Sequence, residues 1–475
     1  MCVAVSLLAV LGNSAGAELR AGAAAIDTTP PLGLSLIGNM SDQKGKHIHD
    51  ALHARCLVLD DGASRLALVT ADLCLIPRDV CDNAKKLASD ATGIPVENML
   101  IAAVHTHSAA GATPAFQSDP DPAYREFLTV RIADGIRCAV NNLAPAELAF
   151  GVGRVPEEVY CRRWYMQPGS IGPDPFGNTT DTVKMNPGVG NPNLIKPAGP
   201  TDPEVSFIAV RHRDGRPLAL WANYSLHYVG GTGGGHVSAD YFGYFADRIQ
   251  ALLAADRQDP PFVGIMSNGT SGNINNIDWR NEKPSREPYE KMRLVADKVA
   301  SEVYRVYQGL DFKSDITLAA AQTEIEAGIR KPTPEELEKA KARLAVSKVG
   351  ELSDIQDIYA RESTLLAEYP DTIKFIVQAF RIGDAGVASI PCEVFTETGL
   401  ALKELSPIRP MFTVELANGY NGYLPTREQH ALGGYETWRA RTSYLAVDAE
   451  EKVRAAALEV LGKVAPAKVA EAVTQ

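Results

Sequence analysis

Two histidines stand two residues apart in Val104-His105-Thr106-His107-Ser108, directly after the apolar run Met99–Ala103. The run reads as a buried strand, and side chains at i and i+2 of a strand share a face. His105 and His107 can then address one spot at the carboxyl end of that strand, where open α/β sheets place their ligands. Two converging imidazoles suit a metal, or one metal ligand beside one acid–base group. The alternative is a strand end carrying two half-exposed histidines, because two histidines alone make a weak metal signature. Other strand ends supply further candidates. The run 218–225 leads to His227, and Ala385–Ile390 leads through Pro391 and Cys392 to Glu393. Two His and one Glu with an open position form a catalytic zinc set. Tyr435 lies in a later loop, 433–437, as a proton donor, a stacking group or plain packing.

Only a sheet can bring such distant residues together. A short strand opens the chain at 21–27. The runs 55–59 and Arg65–Ala71 flank Asp60-Asp61-Gly62, a hairpin signal. Residues 77–91 read as a helix that Thr92-Gly93-Ile94-Pro95 stops. Strand, helix and strand at this spacing make a βαβ unit with a parallel pair. Another helix is expected at 123–142. Residues 166–203 are rich in Gly, Pro and Asn and read as a long loop forming a wall or lid. Strands resume at 206–211 and 218–225. The glycine cluster 230–235 lacks the Gly-Lys-Ser/Thr end of a phosphate loop and reads as a flexible turn near the mouth of the site. The strand 261–266 runs into the polar stretch 267–276. Ser271 in that stretch is a conceivable nucleophile, but it lacks the G-x-S-x-G elbow. The stretch reads instead as a loop satisfying its own backbone through Asn side chains. A capping box opens a helix at 333–345. Strands follow at 375–380, Ala385–Ile390 and 412–417, then an amphipathic helix at 448–464. The expected fold class is α/β: a large mixed or parallel sheet layered with helices, with a zinc site at strand carboxyl ends.

Composition excludes several functions. A net charge of −11 over 475 residues gives no attraction to nucleic acid or to an anionic membrane surface. No internal run of about 20 apolar residues suits a membrane-spanning helix. Residues 2–11 are almost wholly apolar, and Ser14-Ala15-Gly16-Ala17 supplies small residues before Glu18. This pattern is that of a secretory signal peptide, although a basic first segment is missing. The expected organisation is a signal peptide at 1–17, a catalytic domain at 18–475, and a secreted or periplasmic location. Six cysteines would remain after cleavage, with no CxxC and no recognisable framework. They suit disulfides or free core thiols.

The sequence resembles the neutral/alkaline, non-lysosomal ceramidase family. The matching pieces are Ile26-Asp27-Thr28-Thr29-Pro30-Pro31, Asp50, Ala71-Asp72-Leu73, His105-Thr106-His107-Ser108, Arg162-Arg163, Asn223 to His227, Ser238-Ala239-Asp240 to Gly243, Ser271-Gly272-Asn273, Pro391-Cys392-Glu393 and Gly434-Tyr435-Glu436. The resemblance implies a Zn2+ ion held by His105, His227, Glu393 and Tyr435, with Tyr420 and Tyr423 as rivals for the last place. It implies catalytic roles for His107, Arg162 and Tyr435, with His107 and Arg162 touching the substrate. It also implies hydrolysis of a lipid-like N-acyl amide, ceramide or a relative. Two departures stand out. Only 40 residues follow Tyr435, fewer than the about 100 of the immunoglobulin-like sandwich that ends the long ceramidases. Asn275 occupies the place of a family serine, which removes a serine nucleophile there. A zinc esterase or lactonase on the same scaffold, and a non-catalytic secreted binding protein, remain the alternative readings. Oligomeric state is not readable from the sequence.

Overall fold

The computed structural model describes residues 18–281, 286–347 and 350–466. The expected signal peptide, 1–17, lies outside these described residues. Eight strands form the first sheet: β1 (Arg20–Asp27), β2 (His53–Asp60), β3 (Arg65–Ala71), β4 (Met99–Ala103), β5 (Ala144–Arg154), β6 (Glu204–His212), β7 (Pro217–Tyr224) and β8 (Val263–Asn268). Their spatial order is β8-β7-β6-β5-β1-β2-β3-β4. The hairpin between β2 and β3 turns where expected. Asp60 and Asp61 accept from the backbone N–H groups of Gly62, Ala63 and Ser64, which fixes the reversal.

The sheet is mixed, as expected, but mainly antiparallel. Its parallel pairs are β3/β4 and β7/β8. Each pair is joined through a helix, α1 (Arg78–Thr92) and α3 (Asp240–Leu252), because a parallel return needs a crossover. Between them in the chain, α2 (Pro122–Asn141) packs beside α1. The second sheet holds β9 (Leu318–Gly328), β10 (Thr372–Ile382), β11 (Ala385–Ile390) and β12 (Met411–Glu415), in that order. Its parallel pair, β11/β12, is again bridged by a helix, α7 (Thr396–Leu405).

The two sheets pack face to face. Leu57, Leu68, Ile208 and Trp221 meet Phe380, Val387, Phe412 and Val414 in one apolar core. The Trp221 and Phe412 rings stand edge to face with centroids 5.3 Å apart. Helices α1 and α2 cover one part of the first sheet's outer face, and α3 with α4 (Glu290–Tyr307) covers another. The terminal helix (Ala449–Val464) and α7 cover the second sheet. The first sheet curls until its edge strands β4 and β8 touch, and the end of β12 lies against both neighbours of that seam. Asn418 N donates to Ile101 O at 2.7 Å and Ala103 N to Leu416 O at 3.1 Å, so the second sheet's last strand is stitched to β4.

Two expectations need correction, those for 166–203 and 267–276. The stretch 166–203 is not structureless: Val183–Met185 and Leu194–Pro197 pair on either side of Arg163–Met166. Strands of three and four residues are too short to show a period. The six cysteines of the described residues are all free, five of them buried, which is the free-thiol alternative of the sequence reading. The stretch 267–276 bonds outward more than to itself. Asn273 Oδ1 accepts from Thr396 N at 2.9 Å, and its Nδ2 donates to Glu397 at 2.8 Å, so it ties the loop to α7. Among the described residues, no helix is long and apolar enough to cross a membrane.

Two more helices, α5 (Pro334–Val346) and α6 (Ile355–Ala367), lie between β9 and β10 in the chain. The Thr333 and Glu336 capping box starts α5 as the sequence implies. This hairpin buries Ile358 and Tyr359 against Phe116 and Ala440 beside the cleft described next.

Candidate active site

Three of the four expected ligands follow a strand of a parallel pair, and Tyr435 opens a short helical turn instead. His105 follows β4, His227 follows β7 and Glu393 follows β11. The geometry behind His105 and His107 differs from strand alternation. The strand stops at Ala103, and His105 has a φ of 78°, a left-handed conformation that costs a non-glycine residue about 1–3 kcal/mol. Val104 N and His105 N hold the turn by donating to Ala71 O and Leu73 O at 3.1 and 2.9 Å. The turn still brings His105 Nε2 and His107 Nε2 to 3.2 Å. Beyond His227, buried Asp240 pins the next turn by accepting from Val229 N and Gly230 N at 3.0 and 2.8 Å. Burial pushes that carboxyl up to about 6.

The three ligand atoms of His105, His227 and Glu393 lie within 4.8 Å of one another. His105 Nδ1 is 3.1 Å from the Cys74 carbonyl oxygen, and His227 Nδ1 is 3.2 Å from the Ser271 carbonyl oxygen. A carbonyl only accepts, so each Nδ1 carries the ring proton and each Nε2 turns a lone pair inward. Those two Nε2 atoms face each other at 3.1 Å. Glu393 Oε2 points to the same spot, 3.4 Å from His105 Nε2, and accepts no hydrogen bond though buried. Two imidazole nitrogens and a carboxylate at this range suit a cation, and Arg162 Nη1, 3.1 Å from His227 Nε2, supplies part of that charge. The three rings differ in how readily they take a proton. Burial opposes charge on His105, yet the facing Cys74 and Glu393 hold its pKa well above the histidine value. Burial holds His227 and His107 well below it, helped by Arg162 and the neighbouring imidazoles. Cys74, His105 and His107 form a second close group. There Cys74 Sγ faces the proton-bearing Nδ1 of His105, at 3.6 Å, so this group is the weaker cradle.

Tyr420, Tyr423 and Tyr435 all line the cleft. Tyr420 donates to Glu393 Oε1 at 2.9 Å, and Tyr423 accepts from Arg162 Nη2 at 3.0 Å. Tyr435 stands edge to face against Tyr423, with centroids 5.9 Å apart. Arg162 is engaged on every side. Besides Tyr423 it meets Glu436 Oε1 at 2.9 Å, Gly272 O at 2.9 Å and His227 Nε2 at 3.1 Å. Glu436, fully buried, takes Arg163 Nη1 on its other oxygen at 2.6 Å. Removing one member of such a buried set costs about 3–5 kcal/mol. His107 lies flat on Tyr228, with centroids 3.6 Å apart. A Cβ on Gly38 would come within 2.4 Å of the His107 ring, so only glycine lets the chain pass there.

Sequence reasoning missed Cys74, Tyr228 and Glu415. Ser271 Oγ donates to Glu415 Oε1 at 2.6 Å, and Ser271 N donates to the other oxygen at 3.2 Å. Ser271 therefore supports His227 rather than standing free as a nucleophile. Burial pushes Glu415 up to about 8. The one signal for this residue is a carboxylate closing the apolar strand β12. Asn275 lies away from the cleft, its Nδ2 3.4 Å from Asn186 Oδ1.

Comparison with solved structures decides the architecture. The crystal structure of neutral ceramidase from Pseudomonas aeruginosa superposes with a TM-score of 0.68 at 20% identity, covering 95% of this chain and 76% of that one. The chain has the neutral ceramidase fold. A ceramidase structure complexed with C2 superposes with a TM-score of 0.69 at 18% identity and the same coverage. In sequence, the chain is 24% identical to the neutral ceramidase of Pseudomonas aeruginosa over 459 aligned positions, 83% of this chain. It spans 64% of that ceramidase's length. No family model matches the sequence. The resemblance read from the motifs thus holds as a likeness in sequence and in fold.

Proposed function

We propose that this chain is a zinc-dependent hydrolase of an N-acyl amide, ceramide or a close relative. The observation that carries this reading is the meeting of the His105 and His227 lone pairs with the orphaned Glu393 oxygen. His105, His227 and Glu393 would hold the ion, with Tyr435 completing the set. The bound ion would polarise the amide carbonyl and supply an acidic water. Ceramidase kinship supports the amide as the bond cleaved.

The chain's own groups supply the rest. Neutral His107 accepts the water's proton at Nε2 as the oxygen bonds to the acyl carbon. The C–N bond then breaks, and His107 returns that proton to the leaving amine. Such acid–base work contributes about 10²–10⁴-fold. Tyr435 donates to the carbonyl oxygen as charge gathers there. Arg162 acts as a positioning residue that locks His227, Tyr423 and Glu436. The apolar N-terminal segment supports export as the setting for this activity. The test is metal analysis with a hydrolysis screen of ceramide, N-acyl amino acids and matched esters. One zinc per chain and amine release are expected. Ester cleavage without any amide cleavage would overturn the assignment.

A further inference from the structure

The catalytic cleft is a cavity of only about 30 Å³. A lipid-like substrate therefore needs room elsewhere. A second cavity of about 200 Å³ lies between α5, α6 and the 175–177 segment, walled by Phe176, Ala340 and Ala360. The two are one side chain apart. Tyr359, fully buried, touches Phe116 of the cleft wall at 6.1 Å between centroids and Phe176 of the second cavity at 5.8 Å. It also abuts Trp438 at 5.8 Å, which in turn meets Tyr435 at 6.1 Å.

The second cavity is also lined by Glu336, Lys339, Arg343 and Arg439, each of which stands in an ion pair. Arg439 pairs with Glu336 at 3.1 Å, Lys339 with Glu335 at 2.8 Å and Arg343 with Asp357 at 2.5 Å. Paired heads leave the aliphatic stems of such side chains free to cover apolar surface. Its volume is below the about 300–1,000 Å³ that takes a whole drug-sized molecule, so it suits one arm of a substrate.

We infer that this cavity receives the acyl chain of the substrate, with Tyr359 as the specificity-determining partition. The inference rests on the hydrolase reading above. The acyl side is favoured because the partition adjoins Tyr435, which serves the carbonyl. His107, which serves the amine, backs onto Tyr228 instead. Rotation of the Tyr359 ring joins the two spaces; no covalent step is involved.

The test pairs turnover with binding of dansyl-undecanoic acid, a probe that needs no hydrolysis. Ala360→Trp and Ala340→Trp fill the cavity from different helices, and Phe176→Asp, on a half-exposed wall, guards against misfolding of either. All three are expected to weaken probe binding by about tenfold or more, the lower end of the penalty for misfit in an apolar pocket. Turnover of an N-acetyl amide is expected to stay at the wild-type level while that of an N-dodecanoyl amide falls. Unchanged probe affinity in the folded variants would overturn the inference. If every amide is inert yet the variants still lose the probe, the hydrolase reading fails and the chain-binding cavity stands.

Discussion

Two His-x-His pairs occupy this chain, His105/His107 and His47/His49, and they have opposite fates. Each has a third histidine nearby, His227 for the first and His236 for the second. A tyrosine hydroxyl bonds a member of each cluster. Tyr420 reaches Glu393 at 2.9 Å, and Tyr244 reaches His49 Nε2 at 2.8 Å. The difference is burial and where the carboxylate turns: Asp50 stands 4.0 Å from His49 Nε2 but accepts from Ser238 Oγ and Ala239 N. His105, His227 and Glu393 are almost fully enclosed, and their ligand atoms face one another. His47 and His49 are exposed. His49 is stacked on Tyr289 at 3.6 Å, and His236 is bonded to the Tyr289 hydroxyl. Among the described residues, the close metal-capable groups lie in the cleft alone. Enclosed imidazole nitrogens grouped with a carboxylate make a candidate metal cradle; the same residues in water make a surface patch.

The largest break in this comparison comes from the second histidine of each pair. His107→Gln is expected to lower kcat/KM for amide hydrolysis by about 10²–10⁴-fold. His49→Gln is expected to change it by no more than about twofold, as a surface change worth about 0.5 kcal/mol allows. Equal losses in a steady-state assay would erase the distinction. Next in size is the hydroxyl beside each pair. Tyr420→Phe frees Glu393 Oε1 and is expected to weaken zinc by about 10–100-fold, the usual toll for an outer partner of a ligand. Tyr244→Phe is expected to leave zinc affinity unchanged, which competitive chelator titration resolves.

The smallest effect concerns a histidine outside both clusters. Burial, with Arg330, Arg163 and Arg427 nearby, lowers His430 to about 3. The unfolded chain takes up that proton near pH 6.5, whereas the folded chain refuses it until about pH 3. The contribution is therefore intact above pH 6.5 and is lost as pH falls towards 3. Chemical denaturation at pH 7 and pH 5 is expected to show a smaller decline for His430→Leu than for the wild type. An identical decline would count against this environment.

Much of the scaffold is legible in the chain. Leu66 to Val69 and Met99 to Ala103 are apolar runs with turn residues between them, so β3, α1 and β4 can be placed from local pattern. The stripe Met292, Val295, Ala296, Val299, Val303 in α4 is likewise a local signal. His105, His227 and Glu393 are readable as residues at strand ends. Their convergence is not readable, because it depends on the curl that brings β4, β8 and β12 together. The turn that aims His105 is also hidden, since its left-handed backbone is held by carbonyls of Ala71 and Leu73 from another strand. Arg162 and Glu436 lie 274 positions apart and meet only after folding. The spacing of His47 and His49 shows that the motif itself does not separate a ligand from a surface histidine.

Zinc stoichiometry by equilibrium dialysis, on the wild type and on His105→Ala, Glu393→Gln and His47→Ala, tests the central claim most directly. One tightly bound zinc per chain is expected for the wild type and His47→Ala, with loss of that ion in His105→Ala and Glu393→Gln. Stoichiometric zinc retained by His105→Ala, or lost by His47→Ala, would contradict it.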